Sequence, residues 1–287
     1  MSGSPVAAAA LTFFDAGLIR DLDVFAMITG SRLGASLIVL LIGFVYVLRG
    51  KGRSESLGMG LVSICVTGST YLVALLPGYF MLSSGMLDGL QLQSGTLLSS
   101  FIDGLFTPIV VLAEQWLSGW MIFLLGMGVI LVSFRMFDDF LPTESIRQSQ
   151  LGRLSRLVYR PFVMFLLGSL VTLISMSVSV SISILVPLSN RGFVRRENVI
   201  PYIMGANITT FIDTLLAAVL LRNPRAFTVV LAEMISISLV SALILAFFYA
   251  RYEHVILKFV NWLVNRKRNL AVFVFFLFLI PLVLLLV

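Results

Sequence analysis

Two stretches of this chain set side chains that can coordinate an ion inside otherwise apolar runs. The first carries Thr172, Ser175, Ser177, Ser179, Ser181 and Ser183 and is closed by Pro187. The second is Gly205-Ala206-Asn207-Ile208-Thr209-Thr210, followed by Asp213. Alternation of Ser with Val or Ile also suits a strand, but an open strand cannot face lipid. A hairpin or broken helix buried in protein is therefore predicted, with hydroxyls and freed carbonyls as ligands. Serines in membrane helices equally serve close packing or bond back to their own carbonyls, and both readings stand. A helix N-terminus at Gly205 would favour an anion, with Asn207, Thr209 and Thr210 offering oxygens and amide donors. Asp213 is a costly carboxylate in an apolar helix and by default marks an ion or substrate path. Asn207-Ile208-Thr209 fits a glycosylation sequon, but its expected membrane depth argues against that use.

The first part of the chain carries a related set. Ser2 and Ser4 precede an apolar run, and Gly30-Ser31-Arg32-Leu33-Gly34 follows. Either Gly30 and Gly34 form a packing face with Arg32 snorkelling to the interface, or Arg32 is the cationic partner of an anionic substrate. A shift of 175 residues lays Ser2 and Ser4 on Ser177 and Ser179, Gly17 on Gly192, Arg20 on Arg195 and Gly30 on Gly205. Each copy runs in one order: serine cluster, apolar run, Gly turn, charged loop, Gly-small helix start, long apolar helix.

These residues need membrane helices to hold them. Of 287 residues, 59% are hydrophobic and 12% charged, against roughly 45–50% and 25% in soluble domains. With a mean hydropathy of +1.05, that composition excludes an ordinary soluble fold. Apolar runs long enough for spans, or nearly so, are Gly34–Leu48, Leu57–Leu82, Leu117–Met136, Pro161–Pro187, Tyr202–Leu221, Ala226–Ala250 and Leu270–Val287. Leu97–Trp116 is weaker, and Tyr252–Arg268 has the pattern of a helix lying on the membrane surface. The net charge of +6 sits in loops rather than in a nucleic-acid footprint. Arg49, Lys51, Arg53, Arg147, Arg153, Arg156, Arg160, Arg191, Arg195, Arg196 and the run from Arg251 to Arg268 read as cytoplasmic. The loops at Asp21 and Asp88 read as external; Arg222 and Arg225 go against the count. The two copies then have opposite topology, as in transporters whose substrate site lies between inverted repeats.

Cys65 is the only cysteine and His254 the only histidine. Disulfide frameworks, thiolate or His-based zinc sites, Ser–His–Asp triads and Cys–His pairs are thereby removed. No nucleophile–base pair points to an enzyme.

Ser177 to Ser183 followed by Gly205-Ala206-Asn207-Ile208-Thr209-Thr210 resembles the second repeat of the type II sodium/phosphate cotransporter family. Those proteins carry a Gln-Ser-Ser-Ser cluster and then Gly-Ala-Asn-Ile-Gly-Thr-Thr in each of two inverted repeats with re-entrant hairpins. Leu124-Leu125-Gly126-Met127 is similar to that family's apolar opening helix. The likeness spans most of residues 1–250, with its close match at Gly205 to Ile208. Met1 and Met176 stand where the family has Gln, Val178 replaces a Ser, Thr209 a Gly, and Ser31-Arg32 replaces Ala-Asn.

The resemblance implies an all-α membrane protein of about 7–8 membrane segments, an inverted-repeat transporter with re-entrant hairpins. Its domains would be 1–90 (first repeat, incomplete at its start), 91–116 (linker), 117–250 (second repeat) and 251–287 (surface helix and final span). The expected function is secondary transport, sodium-coupled symport of phosphate or a similar small anion. The alternative is a membrane scaffold or subunit that keeps the fold without the site, favoured by the missing Gln. The expected binding residues are Ser2, Ser4, Gly30, Ser31, Arg32, Ser177, Ser179, Ser181, Gly205, Asn207, Thr209, Thr210 and Asp213. Sodium, the one coupling ion and not a resident cofactor, would sit at Ser179, Asn207, Thr210 and Asp213. The partners are the lipid bilayer and the anion, with homo-oligomers left open and no nucleic acid. The location is the bacterial inner membrane, multi-pass. Counterparts of residues 117–175 have no place ahead of Ser2. The reading favours a start placed late at an internal Met, as Met176 is internal at this motif position, over helices from a second chain.

Overall fold

The structure, a computed structural model, describes residues 3–48, 50, 53–90, 160–190 and 194–286, with scattered positions between 108 and 132. The described elements are all helical, and four helices are long and apolar enough to cross a membrane. The described residues are those of an all-helical membrane protein. Ser2, most of the weaker run Leu97–Trp116 and part of the expected span Leu117–Met136 lie outside the described residues.

Helix α1 (Ser4–Asp15) begins with Pro5 in its first turn, where a missing N–H costs nothing. Helix α2 (Asp21–Leu48) opens on Asp21 and Asp23, which suit the positive end of its dipole. Arg20 donates from its backbone and guanidinium to Asp23, which fixes the entry to the helix. Helix α3 (Arg53–Ser83) runs back against α2. After residue 160 come α4 (Pro161–Ser175), the short α5 (Val178–Ser183) and α6 (Leu185–Asn190), then α7 (Arg196–Thr209) and α8 (Phe211–Leu220). Helix α9 (Pro224–Leu243) passes through a π turn at Ile244–Phe248 into α10 (Tyr249–Asn265). Helix α11 (Lys267–Leu286) follows.

Two boundaries differ from the sequence expectation, at the glycines and at Ala250, and the serine run breaks as expected of a broken helix. Gly30 and Gly205 start no helix: α2 and α7 run through them. The backbone N–H groups there are spent inside the helix, so the expected anion-binding N-terminus at Gly205 is not formed. Pro161–Pro187 is not one segment. It breaks at Met176, whose φ of 47° is left-handed, and Ser177 caps α5 by accepting from the Val180 N–H. The expected span Ala226–Ala250 and surface helix Tyr252–Arg268 are joined in one helical run, Pro224–Asn265. Ile256, Val260, Leu263 and Val264 of α10 are buried, and α10 packs on α3.

Lipid gives helices no hydrophobic reason to associate, so close approach must hold them together. A Cβ on Gly60 would lie 2.4 Å from the Leu40 Cα, and one on Gly168 would lie 2.0 Å from the Tyr202 carbonyl oxygen. These glycines let α3 meet α2 and α4 meet α7. Pro201 inside α7 leaves the Glu197 carbonyl without its helical donor. The Tyr249 hydroxyl donates to that carbonyl at 3.2 Å.

Two apolar cores result. One gathers α1, the first half of α2, the second half of α3, α8 and α9. The other gathers the rest of α2 and α3 with α4 to α7 and α10. At one end Arg225 bridges Asp21 and Asp88, both at 2.7 Å. These are residues the charge count assigns to one side, so the exceptional Arg225 has two acidic partners there. Arg196 and Asn261 meet at the opposite end of α7.

Candidate functional site

Where the two cores meet, α2 carries Thr29, Arg32 and Ser36 on its buried face, three to four residues apart. Arg32 stands roughly 17 Å from the start of its helix at about 1.5 Å per residue, well inside the apolar length. It is 1% exposed. A guanidinium at that depth must be paired. Its Nη2 donates to Asp213 Oδ1 at 2.8 Å, to the Thr210 carbonyl at 3.0 Å and to the Thr214 hydroxyl, and Nη1 donates to Ser4 Oγ at 3.3 Å. The guanidinium also lies 5.4 Å from the Phe211 ring centroid, within cation–π range.

Asp213 is held from several sides. The Ser4 hydroxyl donates to Oδ2, the Thr214 hydroxyl to Oδ1 at 2.8 Å, and Arg32 completes the pair. Three helices therefore meet on one ion pair: α1 through Ser4, α2 through Arg32 and α8 through Asp213. A void of about 10 Å³ adjoins it, lined by Ser4, Ala8, Asp213, Thr214 and Ala217, about the size of one water probe. Arg32 Nε and the Thr210 hydroxyl are buried without hydrogen-bond partners.

Four expected residues are thus brought together: Ser4, Arg32, Thr210 and Asp213. Ser31 adjoins them by donating to the Gly3 carbonyl at 2.7 Å, which seats the start of α1. Asn207 faces α3, donating from Nδ2 to the Thr67 hydroxyl at 3.1 Å, and its carbonyl accepts from the Tyr71 hydroxyl at 3.1 Å. Ser179 donates to the Ala35 carbonyl at 3.3 Å. Ser181 ties α5 to α4 and α7 through Thr172 at 2.7 Å and the Tyr202 hydroxyl at 2.9 Å. The Ser177 hydroxyl caps α5, and Thr209 bonds back to the Gly205 carbonyl. Gly205 is a contact glycine, its Cβ position 2.2 Å from the Phe165 carbonyl oxygen, whereas Gly30 has open space.

The four expected sodium ligands do not form one cage as they stand. Asp213 is engaged by Arg32, Thr214 and Ser4, and Asn207 by Thr67. Among the described residues no group of three or more His, Cys, Asp or Glu gathers as for a metal.

One residue of this neighbourhood is absent from the expected set. Glu233 of α9 is 1% exposed, and its Oε1 lies 2.6 Å from the Thr29 hydroxyl. It carries the signal that marked Asp213, a lone carboxylate inside an apolar run. Comparisons with family models, curated proteins and solved structures find no match to this chain.

Proposed function

We propose that the protein is a secondary active transporter of phosphate or a similar small anion, built from two inverted repeats. The observation that carries this reading is the Arg32–Asp213 pair, an ion pair at membrane depth that joins α1 and α2 to α8. A charged pair is a poor way to stabilise a fold, because apolar side chains of similar volume do as well or better. Its place between the two cores suits a substrate site. An anion would take the Arg32 guanidinium from Asp213, and the two halves would rock around it.

Element positions support the repeat. Shifted by 175 residues, α1 falls on residues 179–190, beside the α5–α6 segment, and the start of α2 falls on Arg196, where α7 begins. The break at Met176 supports a hairpin in the second copy. The likeness to type II sodium/phosphate cotransporters adds phosphate as first candidate and sodium as coupling ion, with location in a bacterial inner membrane.

A specific observation favours the second reading, a membrane scaffold or subunit. Arg32 is already neutralised, and the void beside it is too small for an anion. Uptake of labelled phosphate and a panel of small anions into proteoliposomes, with and without a sodium gradient, separates the two. Uptake above empty vesicles supports transport. Its absence across the panel, from protein shown to be folded, supports the scaffold.

A further inference from the structure

Glu233 sits on α9 among the side chains of one apolar core, facing Thr29 of α2. Its partner Thr29 has one hydroxyl hydrogen. That hydroxyl lies 2.9 Å from the Phe25 carbonyl and 2.6 Å from Glu233 Oε1, both within bonding distance. A carbonyl and a carboxylate both only accept, so one hydrogen shared between them makes two weakened bonds where two full ones would fit. The two contacts are satisfied together when Glu233 is protonated: its O–H donates to Thr29, and Thr29 donates to Phe25. Glu233 Oε2 is buried without a partner, which suits a neutral acid better than a carboxylate at this depth.

The surroundings fit a proton that can be exchanged. Arg32 lies on the same buried face of α2 as Thr29 and is paired with Asp213 of α8, and Tyr71 of α3 stacks on the Phe211 ring that Arg32 overlies. On α1 and α7, Asp15 bonds to Asn223, Arg196 to Asn261 and Tyr202 to Ser181, and Glu197 stands beside Arg196 in the first turn of α7. Arg32 Nε, one helical turn from Thr29, is a buried donor without a partner. It offers an ionised Glu233 somewhere to turn.

We propose that Glu233 is a proton-binding site, so that the anion crosses with a proton held on this carboxyl. This rests on the transport reading above and deepens it. In the resting site the Arg32 and Asp213 charges cancel and Glu233 is neutral. An anion bound to Arg32 adds one negative charge, and a nearby carboxylic acid then holds its proton more tightly. By reciprocity the proton tightens the anion, and the two bind as a pair.

Two measurements on the 287-residue chain test this. Infrared spectra of the purified protein near neutral pH should show a protonated, non-aqueous carboxyl band that Glu233→Gln removes and that Thr29→Ala shifts. If neither substitution changes such a band, Glu233 is ionised and the proposal is overturned. The second uses proteoliposomes with a pH-sensitive dye inside and labelled inorganic phosphate outside. At matched phosphate uptake and equal pH, protons carried by phosphate itself cancel between variants. Wild type should then move one more proton per phosphate than Glu233→Gln, and equal ratios overturn the proposal. If Glu233→Gln does not fold, Thr29→Ala still decides the infrared arm. If the band behaves as expected but wild type moves no anion of the panel, the transport reading falls and Glu233 stands as a proton site alone.

Discussion

Arg32 and Asp213 make their demands on one another at the residue scale. Removing one member of a buried pair leaves the other uncompensated, at a cost of about 3–5 kcal/mol. Arg32→Met alone and Asp213→Leu alone should each lower the unfolding temperature in detergent, and the double variant should recover most of that loss. A double variant as unstable as the sum of the singles would mean the two do not act as a pair. Asp213 was legible in the sequence because a carboxylate in an apolar run stands out. Its partner was not, because Arg32 lies 181 positions away and the 175-residue repeat sets Arg32 against Asn207. Only the folded chain, in which the Arg32 side chain reaches from α2 to the start of α8, makes the pair. Glu233 carries the same signal as Asp213, yet the long apolar run around it reads as a plain span.

Helices pack here through glycines, and the two copies differ in how they use them. Gly205 is pressed against α4, its Cβ position 2.2 Å from the Phe165 carbonyl oxygen, whereas its counterpart Gly30 faces open space. Gly205→Ala should therefore destabilise the protein by about 1–3 kcal/mol through overpacking. Gly30→Ala should be neutral or stabilising, by roughly 0.5–1 kcal/mol for a helix interior. Thermal unfolding of the two variants side by side checks the asymmetry, and equal losses would contradict it. At this scale the apolar helices and the break in the serine run were readable from length and residue type. Gly30 and Gly205 misled because glycine signals a helix start as readily as a close contact, and only the neighbour at 2.2 Å decides between them. The join of α9 to α10 was hidden because charged residues after Ala250 suggest a surface helix, while a π turn carries the chain through.

Charge distribution orders the whole molecule, with Arg225, Asp21 and Asp88 at one end and Arg196 with Asn261 at the other. In a Cys65→Ala background, cysteines at Leu18 and Leu90 should react with a membrane-impermeant thiol reagent from outside intact cells. One at Lys258 should react only after the cells are opened. All three positions are exposed, so labelling of all three from one side would reverse this account of the topology. The central claim joins that topology to the buried pair: Arg32 is the cation that an anionic substrate takes from Asp213. The most direct measurement is the initial rate of labelled phosphate uptake by Arg32→Gln beside wild type, in proteoliposomes of matched folded protein. Wild type should exceed empty vesicles and Arg32→Gln should fall to their level. A variant that transports as fast as wild type would contradict the claim.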